Sequence, residues 1–478
     1  MFAPGVPQLM AEFKSTSSEL ASFCVSVYVL GYATGPMLFA PLSELYGRAI
    51  VYHGCNVGFV GEWARSRVAV VMAFCCLKPL TPVLAAFIIA CAKAPSLSAL
   101  IVFRFLSGVF GSAPITNGGG TIADMIVQEK RGAAMASFAI GPLLGPIIGP
   151  VVGGVVSDAL SWRWVFWIIA IISAVISLAF LAFGRETYAP VILEQRAARL
   201  RKETGNPRLR SKLDPGLSPA DYFKRGILRP FKLLTLSPVC IICNIYVGLA
   251  YAYLYLMFTS LTPLFMRIYH FDTVHAGLVF LGLGVGSLLG VAYFSVSSDA
   301  YIKKKAATDA AASPPTPGAE EAQSGTAAAA TPSAPASQLG KPGIKPEYRL
   351  PPLKIGAFLL PAGLFIYGWT ADFRVHWIAP IIGTAVIGVG NLVIFMSLQM
   401  YLVDSFTIYA ASALAANAVV RSVAGAVLPL AGIAMYDRLG LGWGNSLHGF
   451  IAMLMLPAPW LFIRYGEYLR HRFEIKDL

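Results

Sequence analysis

Long apolar stretches, separated by shorter polar segments, alternate along most of the chain. Most of them contain the roughly 20 residues that a helix needs to cross the hydrocarbon layer of a bilayer. This pattern predicts an all-α, polytopic membrane protein with about 11 spans. The stretches cover about residues 19–42, 50–92, 96–117, 132–156, 163–183, 237–260, 276–298, 354–371, 377–402, 408–434 and 444–463, of which the second is irregular.

Composition excludes a soluble protein of this length. Of 478 residues, 56% are hydrophobic and only 13% are charged, whereas soluble domains carry about 25% charged residues. A formal net charge of +13 would suit a nucleic-acid partner, but Lys and Arg lie mainly between the apolar stretches, where they orient spans in the membrane. We therefore expect the lipid bilayer, and no nucleic acid, as a partner.

The basic segments predict the side of the membrane that each loop faces. Counting spans outward from the Lys- and Arg-rich stretch 185–236 places the segments of Arg48, Lys130 and Lys303, and the tail, on one side. Because positively charged loops face the cytoplasm, we expect a multi-pass protein, at the plasma membrane, with a cytoplasmic C-terminus. The predicted parts are an N-terminal bundle 1–184, a cytoplasmic central loop 185–236, a C-terminal bundle 237–464 and a cytoplasmic tail 465–478.

Residues 306–340 differ from the rest of the C-terminal bundle. They are rich in Ala, Pro, Ser, Thr and Gly, a composition that buries too little apolar surface to order itself. The sequence therefore predicts a disordered cytoplasmic loop, with a spacer role favoured over a regulatory one.

No pattern typical of an enzyme or a metalloprotein is recognisable. The seven Cys residues lie in or beside apolar stretches, which favours buried apolar roles over redox or zinc chemistry. A nucleophile–base pair, a phosphate-binding loop and a metal cluster are all missing from the sequence pattern. We expect neither catalysis nor a metal or other cofactor.

Glu44, Gly47 and Arg48 lie in a short polar segment that follows the first apolar stretch. An acid and an arginine at the cytoplasmic end of a helix can form a charge lock that is made in one conformation and broken in another. The alternative is an ordinary surface salt bridge, which contributes little.

Arg104 is a single arginine inside the apolar stretch 96–117. A charged side chain within a span is costly and usually faces the protein interior, where it serves function. The alternative is that Arg104 extends to the outer membrane surface.

Gly-Pro pairs recur every four residues in the stretch 132–156. This period leaves one helix face nearly bare and permits close backbone approach, while the prolines remove helix hydrogen bonds and bend the helix. A general small-residue packing face is the alternative. The repeat comprises Gly141, Pro142, Gly145, Pro146, Gly149, Pro150, Gly153 and Gly154.

These segments resemble the major facilitator superfamily and, within it, the fungal twelve-span drug/proton antiporters. The Glu44 segment resembles the signature between spans 2 and 3, Arg104 the arginine of span 4, and the Gly-Pro repeat the antiporter signature of span 5. The resemblance covers nearly the whole chain and includes the stretches 116–124, 162–167, 185–190, 255–259 and 410–422.

The resemblance implies two six-helix bundles that work by alternating access, acting as a monomer, with export of small amphipathic compounds driven by proton entry. Arg104 and Asp124 are the candidates for coupling to protons, and the alternative for Asp124 is a structural charge at the inner end of the helix. The span 5 helix would limit leak. A central cavity between the bundles would hold the substrate, with aromatic residues suited to apolar cations. The candidates for its lining are Asn117, Tyr255, Asn417 and Arg421.

The chain departs from this family in two places. Residues 1–14 resemble the end of span 1 and the loop after it, so we expect span 1 to be absent. Residues 61–85 do not resemble the family, whose span 3 would read from 56–60 directly into 86–92. Gly61, Glu62 and Trp63 can be encoded by a sequence containing GTGAGT, which suggests a retained intron. The alternative is a real insertion in which residues 68–92 form a substitute span.

Two other functions stay open at this point. A chain that lacks span 1, and whose span 3 is not intact, could be a non-transporting relative of an exporter. A nutrient uptake facilitator is the other alternative, although the Gly-Pro repeat and the scarcity of polar groups within the spans argue against it.

The intron hypothesis is tested by sequencing the native transcript across codons 60–86 and upstream of Met1. We expect codons 61–85 to be absent and an apolar span to be encoded upstream. A transcript that matches the chain as written would show that the intron hypothesis is wrong and would favour the non-transporting alternative.

Overall fold

The structure, a computed structural model, consists of helices joined by short connections, and its described part contains no β-strand. It describes residues 2–15, 17–56, 83–125, 138, 141, 145, 148–183, 185–206, 209–211, 219–312, 346–406 and 410–472. In chain order the helices are α1 (Val6–Glu12), α2 (Ser18–Tyr46), α3 (Arg48–Asn56), α4 (Val83–Ala92), α5 (Leu97–Gly111), α6 (Ala113–Met125), α7 (Ile148–Ala159), α8 (Trp162–Phe183), α9 (Ala189–Thr204), α10 (Pro219–Leu236), α11 (Pro238–Ile268), α12 (Thr273–Leu278), α13 (Phe280–Ala312), α14 (Leu353–Asp372), α15 (Ile378–Ser405), α16 (Ala410–Leu454) and α17 (Ala458–Arg472).

Nine segments of the described chain are long and apolar enough to cross a membrane. They match predicted apolar stretches and confirm the all-α, polytopic class. The remaining predicted stretches, 50–92 and 132–156, fall partly outside the described residues. The nine segments are Glu19–Tyr46, Leu97–Ile122, Trp162–Phe180, Pro238–Ile268, Thr273–Ser298, Leu353–Asp372, Ile378–Ser405, Ser412–Gly432 and Ala434–Arg470.

The short helices α3 and α4 pack like two pieces of one span. Both contact α5 and α8, and they contact each other. With nine and ten residues, they span together about 28 Å at a rise of about 1.5 Å per residue, which is the thickness that one span must cross. This packing is consistent with an interrupted span 3. The predicted intron 61–85 lies outside the described residues except for its last three positions, so it stays a prediction.

The core of the C-terminal half is built around α11, which packs against α16 and α15. Ser237 caps the start of α11 by accepting a hydrogen bond from the backbone N–H of Cys240, and Pro238 occupies the first turn, where its missing N–H costs nothing. Tyr246, Tyr253 and Leu256 of α11 are fully buried in this core. The halves meet where α2 packs against α16, and α10 contacts both helices.

Close helix approach in the C-terminal half depends on glycines that α13 presents every four residues. A Cβ added at Gly282 would lie 2.5 Å from the Ile381 side chain, and one at Gly286 would overlap the carbonyl oxygen of Ala385. In lipid, where no hydrophobic effect drives helices together, this backbone proximity supplies the packing energy.

Two predicted boundaries differ from the structure. Helix α13 continues to Ala312, so residues 306–312 of the segment predicted to be disordered are helical; residues 313–345 lie outside the described residues. The Ala-rich sequence of 306–312 has high helix propensity and extends the preceding span. Helix α17 likewise continues to Arg472, eight residues beyond the predicted end of the bundle at 464. The helix of the last span therefore extends without a break past the apolar stretch.

Gly286→Val should destabilise the protein, because the branched side chain would displace α15. We expect a loss of about 1–3 kcal/mol of unfolding free energy, measured by thermal unfolding in detergent. Ala292→Val, on an exposed position of the same helix, is the matched control and should leave the melting temperature unchanged. Equal melting temperatures for the two variants would show that the glycine contact does not determine packing.

Candidate functional site

The turn between α2 and α3 consists of one residue, Gly47. Its φ of +104° is a conformation that residues with a Cβ rarely adopt. A Cβ there would also overlap the carboxylate of Glu186. The predicted signature position Gly47 therefore requires glycine for both reasons.

Arg48 connects three segments that are far apart in the sequence. Its Nη1 donates to Ser43 Oγ at 2.7 Å, its Nε lies 3.3 Å from Asp124 Oδ2, and its guanidinium stacks 5.0 Å above the Tyr188 ring. Only 10% of the Arg48 side chain is exposed, so this ion pair is stronger than a surface salt bridge. Glu44 of the predicted signature lies half-buried in the last turn of α2, one residue from Ser43.

Glu186 holds the start of α3. Its Oε1 accepts the backbone N–H of Arg48 at 2.9 Å, and its Oε2 accepts that of Ala49 at 3.1 Å. A carboxylate at this position satisfies free N–H groups and interacts favourably with the helix dipole. Sequence reasoning did not select Glu186 as a site residue, although the family-like stretch 185–190 contains it. We call Ser43, Arg48, Asn117, Asp124 and Glu186 the basic-end cluster.

Asn117, predicted to line the cavity, belongs to the basic-end cluster. It is buried, and its Oδ1 accepts a hydrogen bond from Ser43 Oγ at 3.0 Å. Because Ser43 also accepts a hydrogen bond from Arg48, Asn117 is linked to Arg48 through Ser43.

The C-terminal half contains a similar arrangement, which sequence reasoning missed. Arg349 Nε lies 3.1 Å from Asp404 Oδ2, and Arg349 Nη1 is 3.4 Å from Ser298 Oγ. Ser43 and Ser298 lie at or near the ends of the spans Glu19–Tyr46 and Thr273–Ser298. Arg48 begins α3 and Arg349 shortly precedes α14, and Asp124 and Asp404 lie near the ends of α6 and α15. A second pair, Arg470 with the buried Glu347 at 2.9 Å, lies beside it. Two equivalent charge clusters are expected when a transporter is built from structural repeats.

The antiporter-like helix packs across the two halves. A Cβ added at Gly154 would lie 2.8 Å from the carbonyl oxygen of Thr273, and one at Gly277 would lie 2.8 Å from that of Pro150. The bare face therefore serves for close contact between α7 and α12. Of the other predicted residues, Gly149 and Gly153 are buried in α7, Gly141 and Gly145 have no atom within 4 Å of an added Cβ among the described residues, and Pro142 and Pro146 lie outside them.

Glu12, the last residue of α1, binds two side chains at the start of α8. Its carboxylate accepts hydrogen bonds from Arg163 Nη2 at 2.5 Å and from Trp162 Nε1 at 2.6 Å. The hydrogen bond from Arg163 is the largest cause that lowers the pKa of Glu12, opposed by partial burial. The connection ties α1 to the start of α8.

Arg104 lies inside the protein, as the sequence predicts for a charge within a span. It is 8% exposed, and its guanidinium lies 4.5 Å from the Phe2 ring and 5.7 Å from the Tyr28 ring. The nearest hydrogen-bond acceptor is the carbonyl oxygen of Val25, at 3.5 Å. Asp124, the other coupling candidate, pairs with Arg48 and not with Arg104.

Arg421, in the C-terminal half, also lies beside aromatic rings. Its guanidinium lies 5.1 Å from the Tyr251 ring and 5.3 Å from the Phe395 ring. One turn earlier, Asn417 donates to Asn244 Oδ1 at 2.8 Å, which joins α16 to α11.

Four tyrosines connect the two arginines across the boundary between the halves. Tyr28 and Tyr32 of α2 share a hydrogen bond of 3.0 Å, and the rings of Tyr251 and Tyr255 of α11 lie 5.0 Å apart. Helix α2, which carries Tyr28 and Tyr32, contacts α11, which carries Tyr251 and Tyr255. We call Arg104, Tyr28, Tyr32, Tyr255, Tyr251 and Arg421 the arginine–tyrosine chain. Within the described residues, no group of three or more His, Cys, Asp or Glu could hold a metal ion.

Comparison with known proteins identifies the family. The Major Facilitator Superfamily model matches residues 1–308, which is more than half of the chain. The chain belongs to this superfamily.

Curated relatives within the superfamily are similar over nearly all of the chain. The MFS-type transporter tndD of Aspergillus flavipes is 52% identical over 474 residues, covering 99% of this chain and 78% of the relative. The MFS-type transporter penM of Penicillium rubens is 47% identical, with 98% and 81% covered. The efflux pump radE of Floropilus chiversii is 43% identical, with 100% and 79% covered. This superfamily member is thus similar to fungal membrane transporters.

Solved structures support the fold. The xylose transporter XylE from E. coli, in a partially occluded inward-open conformation, matches with a TM-score of 0.57 at 15% identity, covering 97% of this chain and 94% of the other. A D-xylose–proton symporter matches with a TM-score of 0.58 at 14% identity, with 96% and 93% covered. Similarity at this level shows a shared major facilitator fold alone.

A double-mutant cycle tests the basic-end cluster. Arg48→Gln and Asp124→Asn should each lower the free energy of unfolding, and the double variant should lose less than the sum by about 0.5–3 kcal/mol, because the two side chains interact. The exposed pair Arg199 and Glu203 is the control and should show a coupling of about 0.5 kcal/mol or less. Additive effects at Arg48 and Asp124 would exclude a functional ion pair.

Proposed function

We propose that the chain exports small amphipathic compounds in exchange for protons by alternating access. The observation that carries this proposal is the direct contact between Gly154 and Gly277 across the two halves. A helix face kept bare for contact with the opposite half suits a barrier that must close tightly while a proton and a substrate move in opposite directions. The relatives include the efflux pump radE, which supports export over uptake.

The basic-end cluster would be the second barrier. Arg48 and Asp124 tie the α2–α3 turn to the end of α6, and Glu186 ties the same turn to the segment after α8. Breaking these contacts frees several helix ends at once, which is how a charge lock favours one conformation. Protonation of Asp124 would remove one partner of Arg48, so this carboxylate and Arg104 remain the proposed coupling residues.

The proposal includes the setting of the protein. We place the chain as a monomer in the plasma membrane, with the basic-end cluster, the segment 185–236 and the C-terminus facing the cytoplasm. The partners are the lipid bilayer, protons and a small-molecule substrate, without a nucleic acid. The positive residues on the loops of this end support that orientation.

Efflux of the neutral dye Nile red from yeast cells tests the function. Cells that express the chain, or a version without residues 61–85, are loaded with dye, and the initial efflux rate is measured with and without a protonophore. We expect protonophore to reduce efflux to the rate of cells without the chain, and Asp124→Asn to have the same effect, because a proton gradient can then no longer be used.

Surface biotinylation provides the control, since each variant must reach the membrane in equal amounts. Efflux that resists the protonophore would exclude proton exchange. Absence of efflux by both versions at normal surface levels would favour the non-transporting alternative.

A further inference from the structure

Arg104 and Arg421 lie within spans and lack a carboxylate partner in the described part of the protein. A guanidinium stays charged in proteins, and an unpaired charge in a low-dielectric interior is costly. The Nε atoms of both residues are buried and have no hydrogen-bond acceptor among the described residues. The pair therefore leaves positive charge and unused donors inside the protein.

Aromatic rings compensate for this charge only in part. Arg104 lies over the rings of Phe2 and Phe166, and Arg421 over those of Tyr251 and Phe395. A ring face attracts a cation, but it does not accept the in-plane N–H of Nε as an oxygen would. An oxygen anion is the chemical group that both guanidiniums lack.

The tyrosines near the two arginines are less buried than the tyrosines that pack within one half. Tyr246 and Tyr253, which serve packing, are 1% and 0% exposed. In contrast, Tyr28, Tyr32, Tyr251 and Tyr255 keep accessible surface although they lie in the middle of α2 and α11. Because α2 contacts α11 across the two halves, these four tyrosines lie on helices that meet at the boundary between the halves.

Among the residues that the structure describes, no acidic side chain pairs with Arg104 or Arg421. Within the nine described spans, Asp and Glu occur only near the helix ends, as with Glu44, Asp372 and Asp404. A cationic substrate would therefore meet two like charges and no attractive carboxylate, which is unfavourable.

We infer that the substrate is a small, planar organic anion, with a carboxylate or an ionised enol or phenol held between Arg104 and Arg421 and a conjugated body stacked on the tyrosines. The inference rests on the proposed export function and names the chemical class that is exported. It replaces the sequence-based expectation that the aromatic residues suit apolar cations. Tyrosine hydroxyls supply further donors to the same anion.

Two dyes with the same xanthene core but opposite charge provide the test. Carboxyfluorescein is an anion and rhodamine 123 is a cation. Binding of each to the purified full chain in detergent is measured by fluorescence anisotropy. We expect the Kd of carboxyfluorescein to be lower by about tenfold or more, because only the anion gains the charge-assisted hydrogen bonds.

Substitutions identify the residues responsible. Arg421→Gln and Arg104→Gln should each weaken carboxyfluorescein binding by about tenfold or more and leave rhodamine 123 binding unchanged or stronger. Arg421→Lys keeps the charge and should restore part of the affinity. The control is Arg438→Gln, an exposed position on the same helix as Arg421, which should change neither Kd. Equal melting temperatures would show that the variants are folded.

The outcomes separate this inference from the function on which it rests. Equal or tighter binding of rhodamine 123, no binding of either dye, or unchanged carboxyfluorescein binding in both Gln variants would overturn the inference. Protonophore-sensitive Nile red efflux alongside any of these results would leave proton-coupled export intact. If the protein binds carboxyfluorescein selectively but efflux resists the protonophore, the anion site is supported and proton exchange is excluded.

Discussion

The absence of water from the bilayer is the constraint on which the rest of the structure depends. Because lipid offers no hydrogen-bond partner to the backbone, each crossing segment must satisfy its own N–H and C=O groups, and a helix does so. Lipid also removes the hydrophobic effect between helices, so packing must come from close contact. The glycines of α13 against α15, and Gly154 against Gly277, are the result.

The same constraint distributes the charges. Carboxylates and most basic residues of the spans lie at helix ends, where the basic-end cluster and the pair of Arg349 with Asp404 link neighbouring helices. These contacts hold elements that are separated by 55 to 138 residues in the chain. A contact of this kind can be broken without unfolding any helix, which makes it suitable for a change of conformation.

Arg104 and Arg421 are the exceptions to this distribution, and they lie on opposite sides of one boundary. Each is tolerated because aromatic rings lie beside it, and the Nε atom of each has no hydrogen-bond acceptor among the residues that the structure describes. An incompletely satisfied charge in an otherwise stable interior is a feature that binding can complete. The two halves therefore share one polar region whose composition depends on both.

Apolar stretches and short signatures determined the fold class, the spans and the residues Gly47, Arg48 and Arg104, because membrane thickness and the cost of buried charge leave few alternatives. Asn117 was selected from the sequence as one of the few polar residues within the spans, and only the tertiary structure shows its hydrogen bond with Ser43. Tyr255 was among the predicted cavity residues, whereas Glu186, Tyr28 and Tyr32 have no local signal that distinguishes them from similar residues nearby. Their roles arise from contacts between helices that are distant in the chain, and only the tertiary structure decides which side chains of a helix face the other half.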